Sequence, residues 1–177
     1  MRYLFLIILL PLTLFAFEPL PVTPYPIVGY QEKEFFDAVH NLTRTLLIWY
    51  PVDAKTQGTP SDSPWDLFSI AKNASIAASN NKMPIVAISH GYTGNPHQLS
   101  WLTRWLVHEG YIVLGIQHLD LIDGKAHLNH WQRPLDVKMM IDQFSSSSLA
   151  SFADLKKIAV AAFSLDRKNN DFLCRCL

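Results

Sequence analysis

A serine follows a short apolar segment near the C-terminal end of the sequence. Ile158–Phe163 has the length and composition of a buried β-strand, and Ser164 comes directly after it. Such a serine can act as a nucleophile when it occupies the Gly-x-Ser-x-Gly turn between a strand and a helix. Here the outer positions are Ala162, a mild departure, and Asp166, a serious one because the following helix packs closely there. The motif alone is weak evidence for a nucleophile.

A second loop could supply the groups that stabilise an oxyanion. The segment ISHGYTG follows the apolar run Pro84–Ile88, and its small residues allow backbone N–H groups to point towards a ligand. The N–H group of Tyr92 is the expected donor, and losing one such donor typically raises the barrier by about 3 kcal/mol. An ordinary strand-to-helix connection is the alternative. We expect His90 to shape this turn and not to act as a base.

Histidines and carboxylates raise the hypothesis of a metal site. No spacing among them matches a standard zinc pattern, so we predict neither a metal nor a cofactor. The residues of the metal hypothesis are His118, Asp120, His127, His130, Cys174 and Cys176.

We expect Arg133 and Asp136 to pair at the start of a helix, where the charge of Asp136 would interact favourably with the helix dipole.

Composition limits the classes of partner. The 177 residues include 15 Lys plus Arg and 15 Asp plus Glu, so the chain has no basic footprint for nucleic acid. Apolar residues make up 49%, which predicts a globular domain. The expected partner is a small ester or lipid-like substrate, and the sequence does not indicate an oligomeric state.

The first 16 residues have the pattern of a secretory signal peptide. Arg2 is followed by an apolar run, Tyr3–Phe15, and Ala16 is a small residue suited to cleavage. The run is shorter than the roughly 20 residues of a membrane span, and Pro11 interrupts it. We predict export to the periplasm or the medium, with no membrane span after cleavage; an uncleaved anchor is the alternative.

Cleavage after Ala16 gives a mature chain that begins at Phe17. N-terminal sequencing of the exported protein should therefore begin at Phe17. A membrane-bound chain that begins at Met1 would favour the anchor.

The first half of the sequence predicts a hairpin and a long connection. Glu34–Val39 and Thr45–Tyr50 have strand composition and are separated by the turn-forming Asn41. Asp53–Lys82 is rich in Ser, Asn, Pro and Lys. We expect it to be a surface connection with a short helix at about Trp65–Ala78.

The second half alternates apolar strands and amphipathic helices. Strands are expected at Pro84–Ile88, Tyr111–Ile116 and Ile158–Phe163, with helices after Asn95 and from Pro134. This order predicts an α/β fold with a largely parallel sheet, whose ligands bind beyond the carboxyl ends of the strands. That rim would bring together Ser89–Gly94, His118–Asp120 and Ser164. In the first helix, Trp101 and Trp105 are expected in the core.

A series of segments resembles the α/β-hydrolase superfamily, in particular its dienelactone-hydrolase-like and platelet-activating-factor-acetylhydrolase-like members. The segments follow the order of that family over about Glu34–Leu165. They are RTLLIWYP, PIVAISHGYTGN, WLVHEGYIVLGIQHLD, WQRPLDVKMMIDQ and DLKKIAVAAFSL.

The resemblance implies a serine hydrolase that cleaves a carboxylic ester or a lactone through an acyl-enzyme. Ser164 matches the nucleophile, and the N–H groups of Tyr92 and Leu165 match the oxyanion hole. A serine at this position favours the acetylhydrolase-like branch, because some dienelactone hydrolases use cysteine. Residues 17–165 would then be the N-terminal part of the fold: a leading antiparallel hairpin, then a mainly parallel sheet with helices on both faces.

The triad acid and histidine of this family follow the nucleophile, but no histidine follows Ser164. Loss of the base costs about 10⁶ in turnover in one well-studied serine hydrolase, so we expect little activity. We interpret residues 166–177 as a polar tail outside the family pattern and the domain as truncated, with Ile158–Phe163 left as an exposed edge. A catalytically inactive remnant and an exported non-enzymatic binding module are the alternatives.

Overall fold

A computed structural model of the chain describes residues 27–122, 125–126, 132–163 and 172–176. The predicted signal peptide, Ser164, Leu165, His127 and His130 lie outside these ranges. Within the described part, no helix is both long and apolar enough to cross a bilayer.

The described residues form an eight-stranded mixed sheet at the centre of the fold. The strands of the sheet are β1 (Ile27–Asp37), β2 (Leu42–Tyr50), β3 (Thr59–Pro60), β4 (Ser69–Lys72), β5 (Met83–Ser89), β6 (Ile112–Ile116), β9 (Ala153–Phe163) and β10 (Phe172–Cys176), while β7 (Leu121–Ile122) and β8 (Lys125–Ala126) form a separate hairpin.

The order of the strands across the sheet is β10-β9-β5-β6-β2-β1-β4-β3. Strand β5 is parallel to both β6 and β9, whereas β2 is antiparallel to β6 and to β1. This arrangement confirms the predicted fold class: an antiparallel hairpin first, then a parallel section.

The leading hairpin is longer than the sequence predicts. Strand β1 starts at Ile27 and pairs with β2 from Gly29↔Tyr50 to Asp37↔Leu42. Asn41 lies in the connecting turn with φ of 54°, the left-handed conformation that asparagine tolerates better than most residues.

The predicted helix at Trp65–Ala78 is wrong. The region contains strand β4, which pairs in parallel with β1. Phe68 and Ile70, two positions apart with Ser69 between them, are both buried, and this spacing is that of a strand and not of a helix. The connection therefore contributes to the core instead of lying on the surface.

Helix α1 (Ser100–His108) covers one face of the sheet after a 3₁₀ turn at Pro96–Leu99. Leu102 and Leu106 are buried against the sheet, whereas Trp101 and Trp105 are 49% and 59% exposed. The prediction that both tryptophans lie in the core is wrong. Successive helical residues are about 100° apart, so a tryptophan next to each buried leucine points away from the sheet.

Helix α2 (Arg133–Ser145) covers the opposite face, where Met140 and Phe144 are fully buried. Strand β5 contributes to both apolar layers, Ile85 on the α2 side and Val86 on the α1 side. A strand covered on both faces explains why this segment is apolar without alternation.

The expectation of an exposed edge at β9 is also wrong. Strand β10, in the predicted polar tail, pairs antiparallel with β9 from Phe172↔Phe163 to Cys176↔Ala159. The tail has a charged first half, but its end, FLCRC, has enough apolar character to add a strand. The backbone groups on that side of β9 are therefore paired along these residues.

Candidate functional site at the carboxyl rim

The carboxyl ends of three parallel strands meet at one rim of the sheet. Ser89, the last residue of β5, pairs with Ala162 of β9, and Ile88 pairs with Gly115 of β6. Strand β9 then ends at Phe163, one residue before the proposed nucleophile. The rim therefore brings the loop that contains Tyr92 beside the described end of β9.

Backbone contacts tighten the loop that follows β5. The N–H group of Gly94 donates to the carbonyl oxygen of Gly91 at 3.0 Å, which closes a turn. Thr93 lies within this turn with φ of 57°, and its N–H group donates to Asp120 at 2.8 Å. The side chain of Gln117 donates to the carbonyl oxygen of Gly94 at 2.7 Å. The loop is thus bound to the segment after β6.

His90 shapes this loop from the inside, as the sequence analysis expects. It is fully buried; its Nδ1 lies 2.7 Å from the carbonyl oxygen of Gly91, and its Nε2 accepts a hydrogen bond from the N–H group of His118 at 2.9 Å. A carbonyl only accepts, so Nδ1 carries the proton and the ring is neutral. Burial, reinforced by repulsion from the neighbouring His118, lowers the pKa of His90 to about 4.

Arg133 binds the loop from the start of α2. Its guanidinium donates to the carbonyl oxygen of His90 and forms an ion pair with Asp120 at 2.6 Å. The predicted pair of Arg133 and Asp136 is therefore wrong. The two residues are three positions apart in α2, but each reaches a different partner across the rim.

A buried serine, histidine and aspartate form a hydrogen-bonded chain beneath the loop. The hydroxyl of Ser89 lies 2.8 Å from Nε2 of His118, and Nδ1 of His118 lies 2.7 Å from Asp136. The order of contacts is that of a catalytic triad. Sequence reasoning considered the three residues separately and missed their association.

The hydrogen bonds among Ser89, His118 and Asp136 continue into an ion-pair network. Arg44 of β2 donates to Asp136 at 2.6 Å and to Asp37 at 3.1 Å, with all three side chains buried. Burial alone would raise the pKa of Asp136, but hydrogen bonds from His118 and Arg44 outweigh it, so the pKa lies below its usual value. We interpret the network as structural, because Ser89 is only 6% exposed and Asp136 binds Arg44, which also donates to Asp37 of β1 and to the carbonyl oxygen of Gln117 after β6.

Two members of the metal hypothesis already have other partners. His118 bonds to Ser89 and Asp136, and Asp120 bonds to Thr93 and Arg133. In the described ranges no three His, Cys, Asp or Glu side chains are grouped closely enough to hold an ion.

No family model matches the chain, and no curated protein matches its sequence. Solved structures do match. A ferulic acid esterase from Streptomyces cinnamoneus is similar over 81% of this chain and 54% of its own, with a TM-score of 0.57 and 18% identity. Weaker likenesses include FphF, a fluorophosphonate-binding serine hydrolase of Staphylococcus aureus (TM-score 0.46, 12% identity, 78% of this chain and 48% of that one). Another is a ferulic acid esterase from Anaeromyces mucronatus (TM-score 0.42, 13% identity, 81% and 51%).

The first likeness establishes the fold. The chain has part of an α/β-hydrolase fold and spans about half the length of the esterase that it matches. At this identity the likeness concerns architecture alone.

Proposed function

We propose that the rim carries the acylation site of a serine ester hydrolase that acts on a small carboxylic ester or lactone. The hydroxyl of Ser164 attacks the carbonyl carbon, and the N–H groups of Tyr92 and Leu165 stabilise the oxyanion. The bond between the carbonyl carbon and the alcohol oxygen then breaks, and that oxygen takes up the proton lost by the serine. An ester releases its alcohol, whereas a lactone gives an acyl-enzyme that keeps the new hydroxyl group on its acyl chain. The ordered motif series supports a dienelactone-hydrolase-like or platelet-activating-factor-acetylhydrolase-like protein. The N-terminal segment supports export to the periplasm or the medium.

The pairing of β5 with β9 is the observation that carries this proposal. Ser89↔Ala162 aligns the first residue of the oxyanion loop with a residue two positions before Ser164. A nucleophile and its oxyanion donors must approach the same carbonyl group, so they must come from adjacent segments. The ferulic acid esterase from Streptomyces cinnamoneus supports this assignment by its architecture and by its own activity.

The fixed position of the loop after β5, which contains Tyr92, supports the same proposal. Oxyanion donors act best when they are held before the reaction, since no energy is then spent on reorienting them. Contacts from Arg133, Gln117 and Asp120 fix the loop on both sides of Tyr92.

A fluorophosphonate probe tests the nucleophile without requiring turnover. The folded chain should become labelled over a long incubation, and Ser164→Ala should abolish the label. Ser151→Ala, at an exposed serine before β9, is the matched control and should leave the labelling rate unchanged.

Two outcomes would contradict the proposal. One is a folded chain that shows no label, which would favour an inactive remnant or a binding module. The other is a label that persists in Ser164→Ala and disappears in Ser89→Ala, which would transfer the nucleophile to the buried chain of Ser89, His118 and Asp136.

A further inference from the structure

A cavity of about 270 Å³ opens beside the oxyanion loop, and aromatic side chains dominate its wall. The residues that line it are Trp65, Trp101, Phe163, Leu99, Gln98 and the loop residues His90 and Gly91. The three aromatic side chains are 52%, 49% and 44% exposed, respectively. Large aromatic side chains usually lie inside proteins, so their convergence around one opening requires an explanation.

The cavity is formed before any ligand binds, because the segment with Trp65 is fixed to the start of α1. The hydroxyl of Ser100 donates to the carbonyl oxygen of Trp65, and Ser100 is buried. The carboxylate of Asp66, the next residue, contacts His97 at 2.9 Å. These contacts hold one aromatic wall opposite the other, which reduces the entropy lost when a ligand binds.

The position of the cavity indicates which part of a substrate it would take. Its lining includes Phe163, the residue before the proposed nucleophile, and His90 and Gly91 of the loop that contains Tyr92. A group in the cavity would therefore be joined to the reacting carbonyl by a short link. Among the described residues that line the cavity, His90 is the only titratable one, so the wall offers no counter-charge to an ionised ligand.

We propose that this cavity binds the planar aromatic group of a neutral ester. Tryptophan and phenylalanine faces favour an aromatic ring over an aliphatic chain of equal size, because ring pairs gain energy beyond the area that they bury. The volume suits one ring with a short link and not a long acyl chain. The ester bond in this inference rests on the proposed function, whereas the ring selectivity does not.

Two esters with equal numbers of non-hydrogen atoms test the inference on the full chain. Ethyl benzoate carries an aromatic ring, and ethyl cyclohexanecarboxylate carries an aliphatic one. Titration followed by ligand-observed NMR should show that ethyl benzoate binds at least about fivefold more tightly. The benzoate anion should bind more weakly than ethyl benzoate.

The matched variants lie one helical turn apart. Trp101→Ala should weaken the binding of ethyl benzoate about tenfold, whereas Trp105→Ala, outside the cavity wall, should change it less than twofold. Phe163→Leu keeps an apolar wall without a ring and should reduce the preference for the aromatic ester.

Equal binding of the two esters, equal effects of Trp101→Ala and Trp105→Ala, or no binding would overturn the inference. Failure of the proposed function is distinguishable. A chain that selects the aromatic ester but is not labelled at Ser164 retains this site and loses the hydrolase assignment. A chain that is labelled at Ser164 but does not prefer the aromatic ester retains the hydrolase assignment and loses this site.

Discussion

Replacing Asp136 by alanine should lower the free energy of unfolding by about 3–5 kcal/mol. The carboxylate of Asp136 binds Arg44 at 2.6 Å and His118 at 2.7 Å in the interior. Its removal leaves a buried guanidinium with one carboxylate fewer and an imidazole N–H without its acceptor. Urea unfolding followed by circular dichroism measures the change.

Asp142, in the same helix, provides the control. It is 57% exposed and pairs with Lys138 at 2.6 Å, so Asp142→Ala should cost no more than about 0.5 kcal/mol. Asp136→Asn keeps the shape of the side chain and loses its charge. Its free energy of unfolding should lie between those of Asp136→Ala and Asp142→Ala. Equal stability of Asp136→Ala and Asp142→Ala would show that the buried network contributes little.

The stability of the protein should fall by about 3 kcal/mol between pH 6.5 and pH 4, because His90 is neutral in the folded state. The folded pKa is about 4, whereas the ordinary value is 6.5. The unfolded chain therefore binds more protons in this window, and stability rises with pH through it. Below about pH 3 both states carry the proton, and this contribution changes no further. Unfolding free energies measured at several pH values report the slope.

His90→Asn removes the titrating ring and keeps an N–H donor for the carbonyl oxygen of Gly91. This variant should be less stable at pH 7 and should lose most of the slope between pH 4 and 6.5. His108→Asn, at a histidine whose side chain is 72% exposed, should keep the slope of the native chain. A slope that survives in His90→Asn would mean that other groups cause it.

The sequence predicts the parallel part of the sheet well, because strands buried on both faces are continuously apolar. Pro84–Ile88 and Tyr111–Ile116 lie within one residue of strands β5 and β6. The beginning of α2 was also predictable, since Pro134 lies in its first turn. These features depend on local composition and hydrophobic periodicity.

The errors arise where distant contacts decide the structure. Strand β4 is short, and its conformation depends on pairing with β1, which no local pattern shows. Trp101 and Trp105 share the spacing of a core face, and only the position of the sheet decides which stripe is buried. A strand in the tail likewise required β9 as its partner.

The candidate site was predictable in position but not in its supporting contacts. The rim follows from the order of strands and helices, which brings the loop after β5 beside the described end of β9. The links from His118 to Ser89 and Asp136 span 29 and 18 residues, so periodicity could not indicate them. The available signal was a helix that starts with Arg-Pro-x-Asp, together with a histidine two residues after a buried strand.

A crystal structure of the fluorophosphonate adduct tests most directly whether the loop after β5 and Ser164 form one site. We predict an adduct on Ser164 whose phosphoryl oxygen lies about 2.7–3.1 Å from the backbone nitrogen atoms of Tyr92 and Leu165. An adduct on another residue, or a phosphoryl oxygen directed away from Tyr92, would contradict the account.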